Sequence, residues 1–371
     1  MIYDGHAYCF PGPAAHGGFV DPQEFWRHLQ LFMANRVQPC WRQRDRAPAD
    51  ASGLVDPSRP WNFAGLRDAQ FRAGAHGRVE WVVDGEEYVK QVLPPWVNDF
   101  AYPPEVLVAE MDYAGVDRAL LHRTPYMGLA DEFIAECTRR FPNRLQGLAC
   151  VEEWRIQSNP DATIRKLERA IVELGLSGLQ FLSFHLGLYG QTQDWDGPGF
   201  RPFWDAVASL EIPVFFTVGG FTLDQYLAEL RTLRRWMERY PDLRVVHTHG
   251  LGGWRLFADH ERLSVPEAVY AAVPFDNPNF YIQILFAVFL QTRWEYPMPQ
   301  IRPTLEQMIQ RLGPERLMWG TDIPIVLLHW TYRQSLDYIR RHCDFISAGE
   351  MDLILGGNMA RFMGLAEEGK I

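Results

Sequence analysis

Two histidines at the end of one hydrophobic run could carry acid–base or metal chemistry. In the segment RVVHTHGLGG, residues 244–253, His247 and His249 are two positions apart, so both side chains point to the same side of a strand. The glycine-rich turn that follows lets backbone approach a ligand closely. Imidazole titrates near neutral pH and binds metal ions. The pattern indicates a functional role for His249, and we interpret the deeper His247 as a hydrogen-bonded core residue.

A carboxylate and further polar residues stand near the ends of other predicted strands. Asp322 comes just after the run LMWGT; an aspartate there is often a helix N-cap, but Pro324 follows shortly. His6 and Tyr8, in the segment DGHAY, are also two apart and share one side of the first strand. Two more histidines follow predicted strands and could face either a pocket or the core, namely His122 and His185.

The elements that must position these residues alternate between strands and helices. From about residue 105 short β-rich runs alternate with helical periodicity, which is typical of βα units on a parallel sheet. Eight strands are predicted, at residues 1–3, 119–122, 145–151, 178–182, 213–217, 243–249, 280–282 and 316–320. Helices are predicted at 104–114, 130–140, 160–174, 200–210, 223–239, 332–342 and 349–364. The pattern predicts an α/β fold, a single (β/α)₈ TIM barrel over residues 1–371 with its active site at the C-terminal ends of the strands.

Residues 10–100 do not follow this alternation. The segment is rich in proline, glycine, arginine and tryptophan. A loop of this length inside a compact domain is usually functional or contains small elements of its own. Because it follows the first strand, it falls on the catalytic face of a barrel. We predict a lid or a subunit-contact segment, with a decorative insertion as the alternative.

Composition and charge bound the classes of partner. The 371 residues carry a net charge of −10, which argues against a nucleic-acid partner but leaves room for a small anionic substrate in a locally basic pocket. Five scattered cysteines without a CxxC pair predict reduced thiols. Neither a signal-peptide pattern nor an apolar run of membrane-spanning length occurs. We expect a cytoplasmic homo-oligomer, a dimer, that binds a small molecule and neither nucleic acid nor membrane.

Six short motifs, in order along the chain, resemble the amidohydrolase-2 branch of the amidohydrolase superfamily, in particular its aminocarboxymuconate-semialdehyde decarboxylase and γ-resorcylate decarboxylase types. They are DGH (4–6), EMDYAGVDRA (110–119), RPFW with IPV (201–204, 212–214), VHTHGLGG (246–253), GTDIP (320–324) and GGNMARF (356–362). Only residues 10–100 lie clearly outside this resemblance. It implies a TIM-barrel hydrolase or carboxy-lyase with one divalent metal, zinc or manganese, at the barrel mouth.

The resemblance also assigns roles to single positions, and two positions depart from it. It implies that His6 and Asp322 are metal ligands and that His249 is the catalytic acid–base. Tyr8 stands where a second histidine is expected, and Thr217 stands where a fifth-strand histidine is expected. Two retained ligands would hold zinc weakly, because a catalytic zinc site normally has three protein ligands. Three other side chains could substitute: Asp4, His185 and His247.

Two versions of the chemistry follow. With a metal, the ion polarises a substrate oxygen or lowers the pKa of bound water towards about 7, and Asp322 or His249 moves the proton. Without a metal, Asp322 and His249 form a direct acid–base pair. Tyr8, Thr217 and His185 are then expected to bind the substrate. Either version suits loss of CO₂ from an electron-rich ring or the opening of an ester or lactone.

The expected substrate is a small carboxylated aromatic or cyclic compound. Tryptophans in residues 10–100 allow ring stacking, and Arg42, Arg44 and Arg46 could hold a carboxylate in a forked pair. The competing hypothesis is a metal-free, non-catalytic barrel that serves as a binding protein or pseudoenzyme. The replaced ligands favour that alternative, whereas the retention of both His249 and Asp322 argues against it.

Overall fold

Parallel strands form the centre of the molecule in the computed structural model, which describes residues 1–192, 194–220, 222–251, 254–285, 290 and 293–365. The third strand is interrupted at Leu148, so it is given as two pieces. The strands are β1 (Tyr3–Ala7), β2 (Arg118–Leu121), β3 (Leu145–Gly147 and Ala149–Cys150), β4 (Leu179–Leu182), β5 (Val214–Thr217), β6 (Val245–His247), β7 (Phe280–Ile284) and β8 (Leu317–Trp319).

Two parallel ladders join into a closed barrel. One ladder has the order β1-β2-β3, and the other runs from β3 through β4, β5, β6 and β7 to β8. The barrel closes between β8 and β1, where the amide of Asp322 donates to the carbonyl of His6 at 2.8 Å and the amide of Tyr8 donates to that of Ile323 at 2.9 Å. The predicted TIM barrel is confirmed.

The outer helices begin and end close to the predicted positions. The Pro104–Ala114 helix opens on a proline and stops at Gly115, whose φ of 79° is left-handed. A capping box of Thr331 and Gln334 starts the Tyr332–His342 helix. The other helices are Asp131–Arg140, Pro160–Glu168 with a π-turn at Arg169–Glu173, His185–Leu188, Arg201–Ser209, Leu223–Arg239, Trp254–Phe257, Glu267–Ala272, Arg302–Leu312, Ala348–Asp352 and Asn358–Phe362.

Two sequence predictions need correction. The first strand was predicted over residues 1–3, but β1 spans Tyr3–Ala7, so His6 lies within the strand and not beyond its end. The Arg302–Leu312 helix was missed, although its amphipathic sequence buries Leu305 and Met308. Among the described residues, no helix is both long and apolar enough to cross a bilayer.

Residues 10–100 contain a helix and an antiparallel sheet of their own. The helix is Pro22–Ala34, with Asp21 as its N-cap. A hairpin turn at Asp84 and Gly85, both at positive φ, joins the two longest strands of the sheet. In spatial order the strands are Pro48–Ala49, Cys40–Arg42, Glu86–Gln91, Arg78–Val83 and Arg72–Ala73. The sequence analysis did not predict this sheet, and the function of the segment as a lid stays a prediction.

Aromatic packing holds the middle strands against their helices. Phe181 of β4 and Phe216 of β5 contact a group of buried tryptophans with ring centroids 4.8 to 5.8 Å apart. Burial of each such ring stabilises the fold by about 1.5–3 kcal/mol. The packing therefore sets the position of the β5 end, where Thr217 lies. The tryptophans are Trp195, Trp204 and Trp236.

Asp4 ties the two closing strands together. Its buried carboxylate accepts hydrogen bonds from the amide of His6 at 2.9 Å, the amide and hydroxyl of Thr321 at 3.1 and 2.5 Å, and the hydroxyl of Tyr332 at 2.8 Å. Burial raises the pKa of Asp4 to about 7, although these hydrogen bonds act in the opposite direction. Asp4 is therefore occupied by the framework and is not a substitute metal ligand.

We expect Asp4→Asn to lower the free energy of unfolding by about 2–4 kcal/mol, because an amide nitrogen would face donors and leave buried groups unsatisfied. Equilibrium denaturation measures this loss. Asp117→Asn is the matched control, since Asp117 accepts one exposed hydrogen bond from the amide of Ile2. Equal stability of the two variants would contradict the role given to Asp4.

Candidate active site at the mouth of the barrel

Three side chains converge at the C-terminal ends of β1, β6 and β8. The Nε2 atom of His6 lies 3.3 Å from Oδ1 of Asp322, and Nε2 of His249 lies 3.8 Å from the same oxygen. One ligand atom from each of the three residues lies within 4.8 Å of those of the other two. The predicted convergence of these positions is confirmed, and their chemical roles stay predictions.

The backbone at the site is held in an unusual conformation. His249 and Asp322 have φ values of 59° and 63°, in the left-handed region that non-glycine residues rarely adopt. Such residues cluster at functional sites, where surrounding structure enforces them. Gly320 allows the close approach, because a Cβ there would lie 2.9 Å from Cβ of His6. Two glycines of the predicted turn, Gly252 and Gly253, lie outside the described residues.

The pKa values of the two closest members, His6 and Asp322, are both lowered, but for different reasons. Burial and the neighbouring charge of His249 lower the pKa of His6 to about 3, so its imidazole is neutral at physiological pH. Burial alone would raise the pKa of Asp322, but the neighbouring His249 and His6 rings and the positive charge of Arg36 lower it to about 2. The site thus pairs a neutral imidazole with an ionised carboxylate.

Tyr8 and Thr217, which replace two expected histidines, both lie beside this centre. The Tyr8 hydroxyl is 2.9 Å from Nε2 of His6, and the side chain is buried. The Thr217 hydroxyl is 2.8 Å from that of Thr248, which in turn lies 3.4 Å from Nδ1 of His249. Both positions therefore offer hydroxyl groups where the resemblance implies histidine ligands for a metal ion.

His185 lies outside this centre. It is fully buried, and its Nδ1 is 2.9 Å from Oε2 of the equally buried Glu153. The centroid of its ring lies 6.2 Å from that of Phe32 and 6.3 Å from that of His28. The prediction that His185 binds substrate stays a prediction.

The two remaining histidines pack around the centre. His247 is buried, and its Nε2 is 2.8 Å from the Tyr226 hydroxyl, so its interpretation as a core residue is confirmed. His122 stacks on His6, with ring centroids 3.6 Å apart and ring planes 11° apart. Its Nε2 lies 2.9 Å from the carbonyl of Gly5. His122 thus packs against one face of the His6 ring.

The arginines proposed from the sequence are occupied elsewhere, and a different one exerts its charge on the site. In the inserted segment, Arg42 forms an ion pair with Asp45, and Arg44 forms one with Glu86. Arg46 lies over the ring of Trp41. Arg36 instead follows the Pro22–Ala34 helix and donates to the Tyr126 hydroxyl at 2.5 Å. Its charge acts on Asp322 and Tyr8. The sequence analysis missed Arg36 because no motif separates it from neighbouring arginines.

The three converging residues fit a divalent metal ion. Two imidazole nitrogens and a carboxylate oxygen form a common donor set for zinc or manganese. Atoms that share one ion at roughly 2.1 Å lie about 3.0–3.4 Å apart. The 3.3 Å between His6 and Asp322 meets this, whereas the 3.8 Å from His249 to Asp322 and the spacing of up to 4.8 Å within the group are longer. Neutral His6 and ionised Asp322 are also in the protonation states that ligation requires.

A family model described as amidohydrolase matches residues 66–365, which includes His249 and Asp322 but not β1 with His6. The 2-amino-3-carboxymuconate-6-semialdehyde decarboxylase of Dictyostelium discoideum is 24% identical over 304 residues, 72% of this chain and 79% of that protein. The gamma-resorcylate decarboxylase of Rhizobium radiobacter is 34% identical over 225 residues, 52% of this chain and 64% of that protein.

Solved structures are similar in fold. A probable 2-pyrone-4,6-dicarboxylic acid hydrolase from Acinetobacter baumannii, with citric acid bound, has a TM-score of 0.54 at 18% identity, over 72% of this chain and 90% of that one. A dihydroxybenzoic acid decarboxylase from Polaromonas, with bound manganese and 2-nitroresorcinol, has a TM-score of 0.50 at 19% identity, over 71% and 87% of the respective chains. At these identities the likeness concerns the fold alone.

Buried neutral histidines predict that the metal-free protein loses stability in acid. Burial lowers the pKa values of His6 and His247 to about 3 and those of His28 and His122 well below 6.5. As pH falls through 6.5, the unfolded chain therefore binds protons that the native chain does not. The free energy of unfolding should decrease by up to about 1.4 kcal/mol per pH unit for each histidine.

Denaturation of chelator-treated protein between pH 7.5 and 4.5 measures this slope. Asp4 acts in the opposite direction, because its raised pKa lets the native chain bind a proton between pH 4 and 7 that the unfolded chain does not. It reduces the slope of the unfolding free energy by at most one proton. His247→Gln should make the slope shallower by about one proton, since one buried imidazole is removed. Stability that does not change over this range would contradict the assignment of neutral buried rings.

Proposed function

Because the chain belongs to the amidohydrolase family, we propose that it is a non-oxidative decarboxylase of a small carboxylated aromatic compound. Membership makes it an enzyme of the hydrolase or carboxy-lyase type. The observation that carries the proposal is the meeting of His6, His249 and Asp322 at the catalytic mouth. The two curated relatives described above carry decarboxylase names, which favours the lyase over the hydrolase.

Metal binding is assigned to His6 and Asp322, the pair with the shorter separation. When bound, a divalent ion supplies Lewis acidity that polarises a substrate oxygen. The His249 side chain is 15% exposed whereas that of His6 is fully buried, so His249 is the residue that can touch a substrate. With only two firm protein ligands, and Tyr8 in place of a histidine, we expect weaker binding than in a site with three.

His249 is proposed to protonate the ring carbon that carries the carboxylate. As that carbon gains the proton, the bond to the carboxylate breaks, its electron pair returns to the ring, and CO₂ leaves. Asp322 stays ionised, and its carboxylate, 3.8 Å from Nε2 of His249, is proposed to orient that ring by charge attraction. Tyr8 and Thr217 are proposed to supply hydrogen bonds to substrate oxygens beside the reacting carbon. General acid–base help of this kind contributes about 10²–10⁴ in rate.

Arg36 is the proposed anchor for the substrate carboxylate. One of its nitrogens donates to the Tyr126 hydroxyl, which leaves further donors for a forked pair with a carboxylate. The aromatic rings next to it, Phe32 and Tyr126, stack with centroids 4.5 Å apart and give that wall an apolar, flat surface. The net charge of −10 is compatible with such a local basic site.

The lid function of residues 10–100 remains a proposal. Its support is that Phe32 and Arg36 come from this segment and contact Tyr126, which lies on the barrel loop after β2. A dimer and a cytoplasmic location likewise remain predictions.

We expect the purified protein to release CO₂ from a hydroxylated benzoate such as 2,6-dihydroxybenzoate, and to do so faster after Mn²⁺ is added to chelator-treated protein. His249→Asn and Asp322→Asn should each lose about 10²-fold or more in rate. Asp117→Asn, exposed and distant, is the control that should keep full activity.

Three outcomes would count against the proposal. Folded protein that turns over no aromatic acid would favour the binding-protein alternative. Hydrolysis of a lactone or ester without CO₂ release would favour a hydrolase. Unchanged rates in the His249→Asn and Asp322→Asn variants would remove both residues from the mechanism.

Arg36→Gln should raise KM for the carboxylated substrate about tenfold or more, because a hydrogen bond to a charged group is worth about 1.5–3 kcal/mol. Arg36→Lys should recover only part of this loss, since lysine lacks the planar fork. Steady-state kinetics separates KM from kcat. Arg44→Gln is the matched control within the same inserted segment, because Arg44 pairs with Glu86 at the surface. Equal KM values for Arg36→Gln and Arg44→Gln would refute the anchor.

A further inference from the structure

Gln283 contacts His6 from the neighbouring strand β7. The glutamine is fully buried, and its Oε1 lies 2.8 Å from Nδ1 of His6. Its Nε2 donates to the carbonyl of Gly5. The motif that marked His6 in the sequence gave no indication of this partner, which lies 277 positions away.

These two contacts determine how the amide is oriented and where the His6 proton lies. A backbone carbonyl only accepts hydrogen bonds, so the NH₂ group of Gln283 faces Gly5 and its oxygen faces His6. That oxygen also only accepts, so Nδ1 of His6 carries the hydrogen. A neutral imidazole has one N–H, and Nε2 is therefore left with its lone pair. The flipped amide would place two oxygens against each other.

The free lone pair of His6 points into the reaction centre. Nε2 lies 2.9 Å from the Tyr8 hydroxyl and 3.3 Å from Oδ1 of Asp322. We propose that Gln283 is a positioning residue that holds His6 as the Nδ1–H tautomer, so that Nε2 can bind a cation or accept the Tyr8 proton. Its bearing on catalysis rests on the proposed function.

The surroundings of Gly5 are built for this contact. Nε2 of His122 donates to the same carbonyl at 2.9 Å, and the His122 ring stacks on His6. A Cβ at position 5 would lie 3.0 Å from Nε2 of Gln283 and 2.4 Å from Cε of Met359. A glycine between Asp4 and His6 is therefore what allows Gln283 to reach both the carbonyl and the ring. Partners of a ligand histidine commonly fix its tautomer in this manner.

Nitrogen NMR of histidine-labelled, metal-free protein tests the tautomer directly, with His6→Gln used to assign the signal. We expect the wild-type chain to show the Nδ1–H form of His6. Gln283→Met, which has similar length but no hydrogen bond, should give the Nε2–H form or a mixture. Gln283→Glu can still accept from Nδ1 and should retain the Nδ1–H form. An Nε2–H form in the wild type, or an unchanged tautomer in Gln283→Met, would overturn the proposal.

Titration with Mn²⁺ provides a second readout. Gln283→Met should bind Mn²⁺ about 10–100-fold more weakly than the wild type, the usual cost of losing such a partner. Gln146→Met is the control, because Gln146 also lies on a barrel strand but accepts a hydrogen bond from the Tyr3 hydroxyl and is hydrogen-bonded to neither His6 nor His122. If Gln283→Met does not fold, Gln283→Glu and the wild type carry the test. A wild-type chain that binds no Mn²⁺ would refute the metal assignment, whereas the tautomer would still decide the role of Gln283.

Discussion

The contact between β1 and β8 is the constraint on which the rest of the structure depends. Closing a barrel brings the first and last strands together, although more than three hundred residues separate them in the chain. Asp4 and the exchanged backbone hydrogen bonds hold this seam, and its upper end presents His6 and Asp322 to each other. The same interactions that close the fold therefore position the candidate site, so a substitution that weakens this contact is expected to affect both stability and the site.

Regular elements were predictable from the sequence because their signals are local. The Pro104–Ala114 helix has a proline at its start and a glycine after its end, and the Leu223–Arg239 helix has an N-cap threonine at position 222. The three residues of the centre were also predictable, because each lies at the end of a hydrophobic strand and parallel strands of a barrel end on one face. The inserted antiparallel sheet was missed although its central hairpin has a local signal, because Asp84 and Gly85 lie between two six-residue strands and Val79 and Trp81 alternate with polar residues.

The sequence could not indicate contacts between residues that share no motif. Gln283 contacts His6 from β7, and the charge of Arg36 acts on Asp322 from the inserted segment, and no spacing in the chain relates either residue to His6 or Asp322. The buried contact of His185 with Glu153 was likewise not indicated by the sequence, and the binding role of His185 stays a prediction. Tyr8 and Thr217 are substitutions relative to the expected pattern, yet their hydroxyl groups occupy the same mouth.

The inserted helix and sheet come from one continuous stretch of chain that is separate from the strand ends of the barrel. The strand ends supply the groups proposed to make and break bonds, whereas Arg36 and Phe32 arrive on a stretch of chain that enters and leaves the barrel between β1 and β2. Under the proposed roles, changes confined to this one stretch of backbone alter which compound binds and leave the groups at the strand ends in place. Replacing residues 10–100 with the corresponding segment of a relative is therefore a rational way to change the substrate preference of this barrel.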